Sequence, residues 1–563
     1  MQTIERRKKY KDKSPKETIA YIKGLLDKYG IKVTEKYHHI DIGDINSCRV
    51  YISNPGLEKL YIGTNGKGMN KEFSLASAYG EFIERLANNF LLPNVITNDE
   101  NTFYMNKKKA TPYIKKNCQS VFGDNEVVSD YYLETIKDDK VLFQMFDDVF
   151  NESETPMPIS LIEYLTGSNG MCAGNTKEEA IIQGISEIFE RQAIYEIMIQ
   201  NVIPPEIDKE YFKGTDVYNR LEELEKEGYH FRILDCSMNK DLPVIGLIIY
   251  HDGKYRTRFG SDPSPITSLE RCFTEVFQGY DNLNDYLFKS VDEQELDRNA
   301  FEGTDKEFWF KQYCREIGNG TGYFPRAFVL ENNNSDYEFN GFKHPISKSN
   351  EDDLEYYYGI IKRNNKKLYI SNRSSLGFPV YFTLIPSYSE IKIREDGGKY
   401  FVERRKCFKE LKKLNRIYSL NKDELEKLAL NLEIWANKHN SSKQDISDLF
   451  NFCDMEQMHF YKAIAYLYAC VGNKDKANKY LNKYFETYEG QGDKQLFVRK
   501  NVEEASIDKC FPKDKWPICP DCDNCGMKNI CHLDDIEILN NKIKEITKTN
   551  KWIYTYKITK ALY

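Results

Sequence analysis

Three segments of this chain set a polar stripe into an otherwise apolar helical pattern. Between Leu75 and Leu86, the residues Ser77, Glu81, Glu84 and Arg85 fall at i, i+4, i+7 and i+8, while Leu75, Phe82, Ile83 and Leu86 take the other directions. Glu179, Gln183, Glu187 and Glu190 fall at i, i+4, i+8 and i+11, flanked by Ile181, Ile182, Ile185, Ile188 and Phe189. A segment from Ser264 to Gln278 opens with helix-start chemistry and places Arg271, Glu275 and Gln278 at i, i+4 and i+7 among Leu269, Phe273, Val276 and Phe277. A helix apolar on most sides is largely buried, and buried like charges repel unless something positive stands between them. Carboxylate rows without His or Cys are hard donors that favour Mg2+, which keeps several waters and often bridges to nucleotide phosphates. Two blander readings stand beside this one: a solvated face also carries Glu and Arg, and an Arg–Glu pair at i, i+4 stabilises any helix.

The first two segments are copies of one motif. Gly68, Lys71, Glu72, Glu81, Glu84 and Arg85 recur 106 positions later (174 − 68) as Gly174, Lys177, Glu178, Glu187, Glu190 and Arg191. Each copy follows an Asn-Gly pair, Asn65-Gly66 or Asn169-Gly170, which predicts a turn, and each helix ends Glu-x-x-Glu-Arg with its carboxylates on one face. Two halves of one site facing each other are the expectation.

Strand-like runs at Arg49–Ile52, Leu60–Ile62, Pro243–Tyr250 and Lys367–Ile370 alternate with these helices and predict a mixed α/β domain over residues 1–400. Residues 406–490 read as helical. Met458 to Val471 predicts a helix, Gly472-Asn473 its stop, and Ala477 to Tyr484 a second helix, a hairpin similar to a single tetratricopeptide unit. Such a unit cannot bury its own apolar face, so it is expected to pack on the rest of the chain or on a partner. A Cys-rich module at 505–535 and a closing helix with a short strand at 536–563 complete the organisation. The chain has no Gly-x4-Gly-Lys-Ser/Thr loop, no His-Glu-x-x-His pair and no Gly-x-Ser-x-Gly elbow. Gly318-Asn-Gly-Thr-Gly322 reads as a loop, and His38-His39 as a strand-edge pair.

The three striped segments together resemble the ATP site of the YcaO family, a Ser-x-x-x-Glu-x-x-Glu-Arg helix (Ser77 to Arg85), a Glu-rich helix (Glu179 to Arg191) and a Glu-x-x-Gln helix (Glu275 to Gln278). Thr64-Asn-Gly-Lys-Gly, with Leu75-Ala-Ser-Ala and Glu81, resembles the stand-alone type of that family. Lys11-Asp12 and Thr18-Ile-Ala resemble its N-terminal nucleotide contacts, and Asn175 falls where the family contacts the nucleoside. The resemblance covers residues 5–400 and weakens through the helical region.

The resemblance implies ATP chemistry without a standard phosphate loop. Glu81, Glu84, Glu187, Glu190 and Glu275 would hold Mg2+, and Arg191, Arg271 and Lys11 would meet the triphosphate. Thr18, Ser77, Arg85, Asn175, Gln183 and Gln278 complete the nucleotide set, with Glu179 nearer the nucleoside. The family reaction is phosphorylation of a peptide-amide oxygen on a protein or peptide substrate, after which a thiol, hydroxyl or sulfide replaces the phosphate. The stand-alone type implies a role beside a radical methylthiotransferase in methylthiolation of a small-subunit ribosomal protein, and family likeness implies a homodimer. Azoline-forming members end in a Pro-rich tail; this chain ends Lys560-Ala-Leu-Tyr563, which favours protein sulfur chemistry or thioamide formation over azoline formation. A nucleotide-binding scaffold or accessory protein without turnover is the alternative of a different class.

Composition sets the context. With 563 residues, 40% hydrophobic and 30% charged, the chain predicts two or more domains of a soluble protein, and a net charge of −7 disfavours general nucleic-acid binding. The first ten residues lack the apolar core of a signal peptide and no later run has a spanning length, so a cytoplasmic, non-membrane location is expected. Of 14 Cys, nine are scattered singly and read as reduced thiols. Cys510, Cys519, Cys522, Cys525 and Cys531 crowd together and predict an iron-sulfur cluster or a structural Zn2+ site. His532 reads as a bystander.

Overall fold

Three antiparallel sheets each carry one of the striped helices. The computed structural model describes residues 11–92, 94–95, 101–120, 129–130, 133, 140–276, 278, 288–301, 304–330, 334–343, 347, 349–391, 410–439, 458–487, 492–513, 516, 531–547 and 553–554. The chain divides into two compact units, Met1–Gly397 with Leu539–Tyr556, and Gly398–Ile538 with Lys557–Tyr563.

In the first unit, β1 (Val33–Ile40), β2 (Ile45–Ile52) and β3 (Gly63–Gly68) pair in that order, and the first striped helix, Lys71–Ala87, packs on β3 and β2. A short strand β4 (Asn94–Val95) pairs with β15 (Ile553–Tyr554). The largest sheet runs β5 (Thr102–Asn106), β6 (Lys140–Asp148), β13 (Tyr369–Asn372), β14 (Val380–Leu384) and β8 (Met171–Ala173), with β7 (Ser153–Pro158) paired to β6. The second striped helix, Lys177–Ile199, lies on its β14–β8 edge. The remaining sheet has the order β12 (Lys254–Ser261), β11 (Val244–His251), β10 (His230–Asp235) and β9 (Glu206–Ile207), and the third striped helix, Pro265–Val276, lies on β12 and β11.

Local chemistry explains the repeat. Each striped helix of the pair starts at the lysine of its motif, Lys71 or Lys177, after a strand, a glycine and a capping side chain. Asn70 accepts the Phe73 amide at 3.0 Å and Thr176 accepts the Glu179 amide at 3.3 Å, filling donors that a helix start leaves open. The preceding glycines are steric necessities. A Cβ on Gly174 would come within 2.5 Å of the Ala180 nitrogen, and one on Gly66 would overlap the Ser74 carbonyl and the Ala78 amide. The strand therefore lies directly against the helix backbone.

That close approach corrects one expectation. Asn65-Gly66 is not a turn but the middle of β3, paired with Arg49 and Cys48. Asn169-Gly170 is a turn, with Gly170 at φ 93°. Leu60–Ile62 is likewise not a strand: Glu58–Leu60 form a 3-10 turn, Tyr61 takes φ 48°, and pairing begins at Gly63. Gly318 and Asn319 finish the helix Asp305–Asn319, and Gly320 at φ 68° releases the chain into the loop. His38 and His39 both lie on β1, at the edge of its sheet.

One core of the first unit joins the β1–β3 and β9–β12 sheets, with Ile40, Ile45 and Met69 packed among Ile245, Leu247, Leu269 and Phe273. The second unit is helical among its described residues, with Lys422–His439, Phe460–Cys470, Lys474–Thr487 and Gly492–Glu504 around a core that includes Leu428, Leu432, Ile464, Leu467 and Leu481. Gly472, at φ 83°, makes the turn between its two central helices. Leu533–Thr547 forms a further helix. Among the described residues, no helix is long and apolar enough to cross a membrane.

Candidate functional site

The polar stripes of the three helices converge on one cavity of 510 Å³ in the first unit. Ser77, Glu81, Glu84 and Arg85 reach it from the first helix, Asn175, Glu179, Gln183, Glu187, Glu190 and Arg191 from the second and its leading loop, and Arg271, Glu275 and Gln278 from the third and the turn beyond it. Lys11 and Thr18 close one end. The structure thus brings together the whole nucleotide and Mg2+ set expected from the sequence. It adds Lys67, on β3, which sequence reading passed over inside Thr64-Asn-Gly-Lys-Gly.

One end of the cavity is tied by hydrogen bonds. Glu179 meets Lys11 Nζ at 3.1 Å, the Asp12 amide at 3.2 Å and Asn175 Nδ2 at 3.1 Å, and Thr18 donates to Asn175 Oδ1 at 2.8 Å. Asp12 is held in turn by Thr176 at 2.9 Å and Asn350 at 3.0 Å. Next along the same helix, Arg271 donates to Gln183 Oε1 at 2.7 Å while pairing with Asp262 at 3.3 Å.

The other end concentrates negative charge. Arg85 stands 3.3 Å from Glu81 and 3.5 Å from Glu84, and Arg191 stands 3.6 Å from Glu187, an arrangement repeated across the two motif copies. Burial pushes Glu84 well above the ordinary carboxylate range, and repulsion from Glu187 and Glu81 adds to it. Burial and the neighbouring Glu275 push Glu190 up to about 7. Glu275 is held low although burial opposes this, because Lys67 and Arg258 outweigh it. Arg191 Nε is buried without a hydrogen-bond partner.

These features fit a divalent cation with an anionic ligand. Crowded carboxylates are hard donors, and an unsatisfied guanidinium nitrogen suits a phosphate oxygen. Among the described residues no three His, Cys, Asp or Glu groups form a ready-made metal cage.

A carboxyl whose folded pKa is raised destabilises the fold as pH climbs from its unfolded value, near 4.5, through about 7, because the folded state holds the proton more tightly. Glu190→Gln mimics the protonated form, so the metal-free variant is expected to melt a few degrees above wild type at pH 8 and level with it near pH 4.5. Thermal unfolding in chelator at both pH values checks this.

The Cys cluster is only partly visible. Cys519, Cys522 and Cys525 lie outside the described residues. Cys510 is buried in the helical core of the second unit, its thiol donating to the Asn501 carbonyl at 3.5 Å and facing Cys470, whose contact, with burial, pushes it far up. Cys531 is partly exposed.

The site is thus a cavity in a mixed α/β domain built from three carboxylate-bearing helices. A family model described as YcaO cyclodehydratase, ATP- and Mg2+-binding, matches residues 65–389, more than half of the sequence. This chain belongs to the YcaO family.

Among relatives, the Ribosomal protein S12 methylthiotransferase accessory factor YcaO of Escherichia coli K12 is 28% identical over 356 residues, 59% of this chain and 58% of that one. A Haemophilus influenzae protein of undescribed function is 25% identical over 423 residues, 69% of this chain and 66% of that one. The chain therefore spans under two thirds of the length of each. Among solved structures, a heterocyclase in complex with substrate and cofactor is similar with a TM-score of 0.48 and 15% identity, covering 68% of this chain and 53% of that one. YcaO from Methanopyrus kandleri bound with AMPPCP and Mg2+ is similar with a TM-score of 0.39 and 16% identity, covering 67% of this chain and 92% of that one.

Proposed function

We propose that this chain binds Mg2+-ATP in the three-helix cavity and activates a protein or peptide amide by phosphorylating its oxygen, in support of methylthiolation of a small-subunit ribosomal protein. The observation that carries this reading is the convergence of the ATP and Mg2+ residue set on one cavity, where burial and crowding push the Glu84 and Glu190 carboxyls up. The named function of the Escherichia coli relative supports the choice of ribosomal target. Glu81, Glu84, Glu187, Glu190 and Glu275 would hold Mg2+, which would neutralise triphosphate charge when bound. Arg191 and Arg271 orient phosphate oxygens, and Lys11, Thr18, Asn175 and Glu179 fix the nucleoside end. Catalysis rests on positioning and electrostatics, with phosphoryl transfer to the amide oxygen turning it into a leaving group.

The test is ATP turnover by the full chain with a small ribosomal protein and a radical methylthiotransferase. Phosphate release that requires the protein substrate supports the enzyme; ATP binding without release above background shifts the reading to an accessory protein. That second reading is favoured by the Escherichia coli relative being an accessory factor and by the helical second unit, which we read as tetratricopeptide-like. We assign the protein to the cytoplasm as a homodimer.

The Cys cluster is proposed as a separate iron-sulfur or Zn2+ site. Cys519, Cys522, Cys525 and Cys531 are the favoured ligands, because the Cys510 thiol is already engaged in the helical core. Cys522→Ser or Cys525→Ser is expected to remove the bound zinc or cluster iron, since a hydroxyl is a poor substitute for thiolate. Iron, sulfide and zinc analysis after anaerobic purification checks this, and a metal-free wild type discards it.

A further inference from the structure

We infer that Lys67 is a built-in counter-cation that takes the place of metal at Glu275 in the nucleotide-free protein and makes metal loading depend on nucleotide. This rests on the proposed Mg2+-ATP site. Lys67 Nζ forms an ion pair with Glu275 that joins β3 to the third striped helix, and both side chains are partly open to the cavity, at 26% and 31% exposure.

The repeat shows that the residue is an addition to the duplicated motif. Adding 106 to 67 gives 173, and the second copy has Ala173 there, also lining the cavity. The glutamates and the arginine recur in both copies, but the strand-borne cation stands in one alone. Its partner Glu275 belongs to neither copy.

Neighbouring cations serve other carboxylates. Arg85 faces Glu81 and Glu84, Arg191 lies 3.6 Å from Glu187, and Lys11 lies 3.1 Å from Glu179. Arg258 approaches the third helix from behind, its Nε 3.4 Å from the Glu275 carbonyl, and pairs with Glu316 at 3.2 Å. Among the described residues, Lys67 is the cation in direct ion-pair contact with Glu275 on the cavity side, while Arg258 and Arg191 act on it from farther away. A lysine suits a temporary partner: its ammonium is a compact point charge on a flexible stem and can swing from a carboxylate to a phosphate, whereas a guanidinium holds a planar pairing.

With Lys67 in place, a lone cation gains little at Glu275, because it must displace an existing ion pair. When a metal arrives with a triphosphate, the phosphate oxygens give the ammonium a new partner and Glu275 is released to the metal.

The experiment titrates the chelator-treated full chain with Mn2+ in the absence of nucleotide, read by electron paramagnetic resonance, and measures Mg2+-ATP binding separately by calorimetry. Lys67→Met and Lys67→Gln are expected to bind Mn2+ about tenfold more tightly than wild type, roughly the strength of one charge-assisted contact, while Lys67→Arg stays close to wild type. The gain should vanish in Lys67→Met combined with Glu275→Gln. Wild type itself should bind Mn2+ about tenfold more tightly with a non-hydrolysable ATP analogue present than without nucleotide, which tests the idea even if the Lys67 variants fold poorly. Unchanged Mn2+ affinity in folded Met and Gln variants, a gain that survives the double substitution, or a wild-type Mn2+ affinity that nucleotide does not raise overturns the inference. A wild type that binds no Mg2+-ATP removes the proposed function; one that binds it with no effect at Lys67 removes this inference alone.

Discussion

Glu84→Gln, Glu187→Gln and Glu190→Gln are each expected to weaken Mg2+-ATP binding by about 100-fold, the upper end of what loss of even an outer-sphere partner costs a metal site. Each substitution keeps the shape of the side chain and removes one anionic ligand. Glu84 is buried and Glu187 and Glu190 lie mostly within the protein, so bulk water replaces the lost ligand poorly. The fold itself should survive, and Glu190→Gln should gain stability without metal, because it removes the cost of burying a charged carboxylate and its repulsion from Glu275. Loss of ligand affinity with a raised melting temperature separates a binding site from a structural ion-pair network, whose members destabilise the fold when removed. Calorimetric titration alongside thermal unfolding measures both. Wild-type affinity in all three variants would falsify the carboxylate site.

Gly66→Ala should cost about 3 kcal/mol or more and abolish nucleotide binding with it, although no glycine atom need touch the ligand. The added methyl overlaps the Ser74 carbonyl and the Ala78 amide, both backbone atoms of the first striped helix that cannot rotate aside. Relief requires β3 and that helix to separate, which moves Lys67 and Glu81 relative to the rest of the cavity. Gly24→Ala is the control of opposite sign. Gly24 sits in the helix Pro15–Tyr29 with nothing within 4 Å of an added Cβ, so alanine there should stabilise by roughly 0.5–1 kcal/mol. Chemical denaturation of the two variants checks both signs.

Much of the site was legible because helical periodicity and a duplicated motif both act locally. Glu81, Glu84 and Arg85 share a face at any position of a helix, and the 106-residue repeat marks Glu187, Glu190 and Arg191 as their counterparts. Lys67 was not legible in this way. On a strand its neighbours in sequence say nothing about the helix it faces, and its partner Glu275 stands 208 residues away. Asn65-Gly66 misled for a related reason: the dipeptide carries the chemistry of a turn, and only the helix backbone pressed against Gly66 shows that the glycine serves packing.

The sequence by itself determined the stripes, the caps that start the paired helices, and the hard-donor chemistry of the carboxylate rows, because those depend on side-chain type and on spacing within a few turns. Tertiary structure alone decided that three helices from three different sheets aim their stripes into one cavity, and which cation meets which carboxylate there. It also decided the charge states. The same glutamate side chain is pushed up to about 7 at position 190 and held low at position 275, because burial and Glu275 act on the first while Lys67 and Arg258 overcome burial at the second. That difference lies in distances between distant segments, which no local pattern encodes.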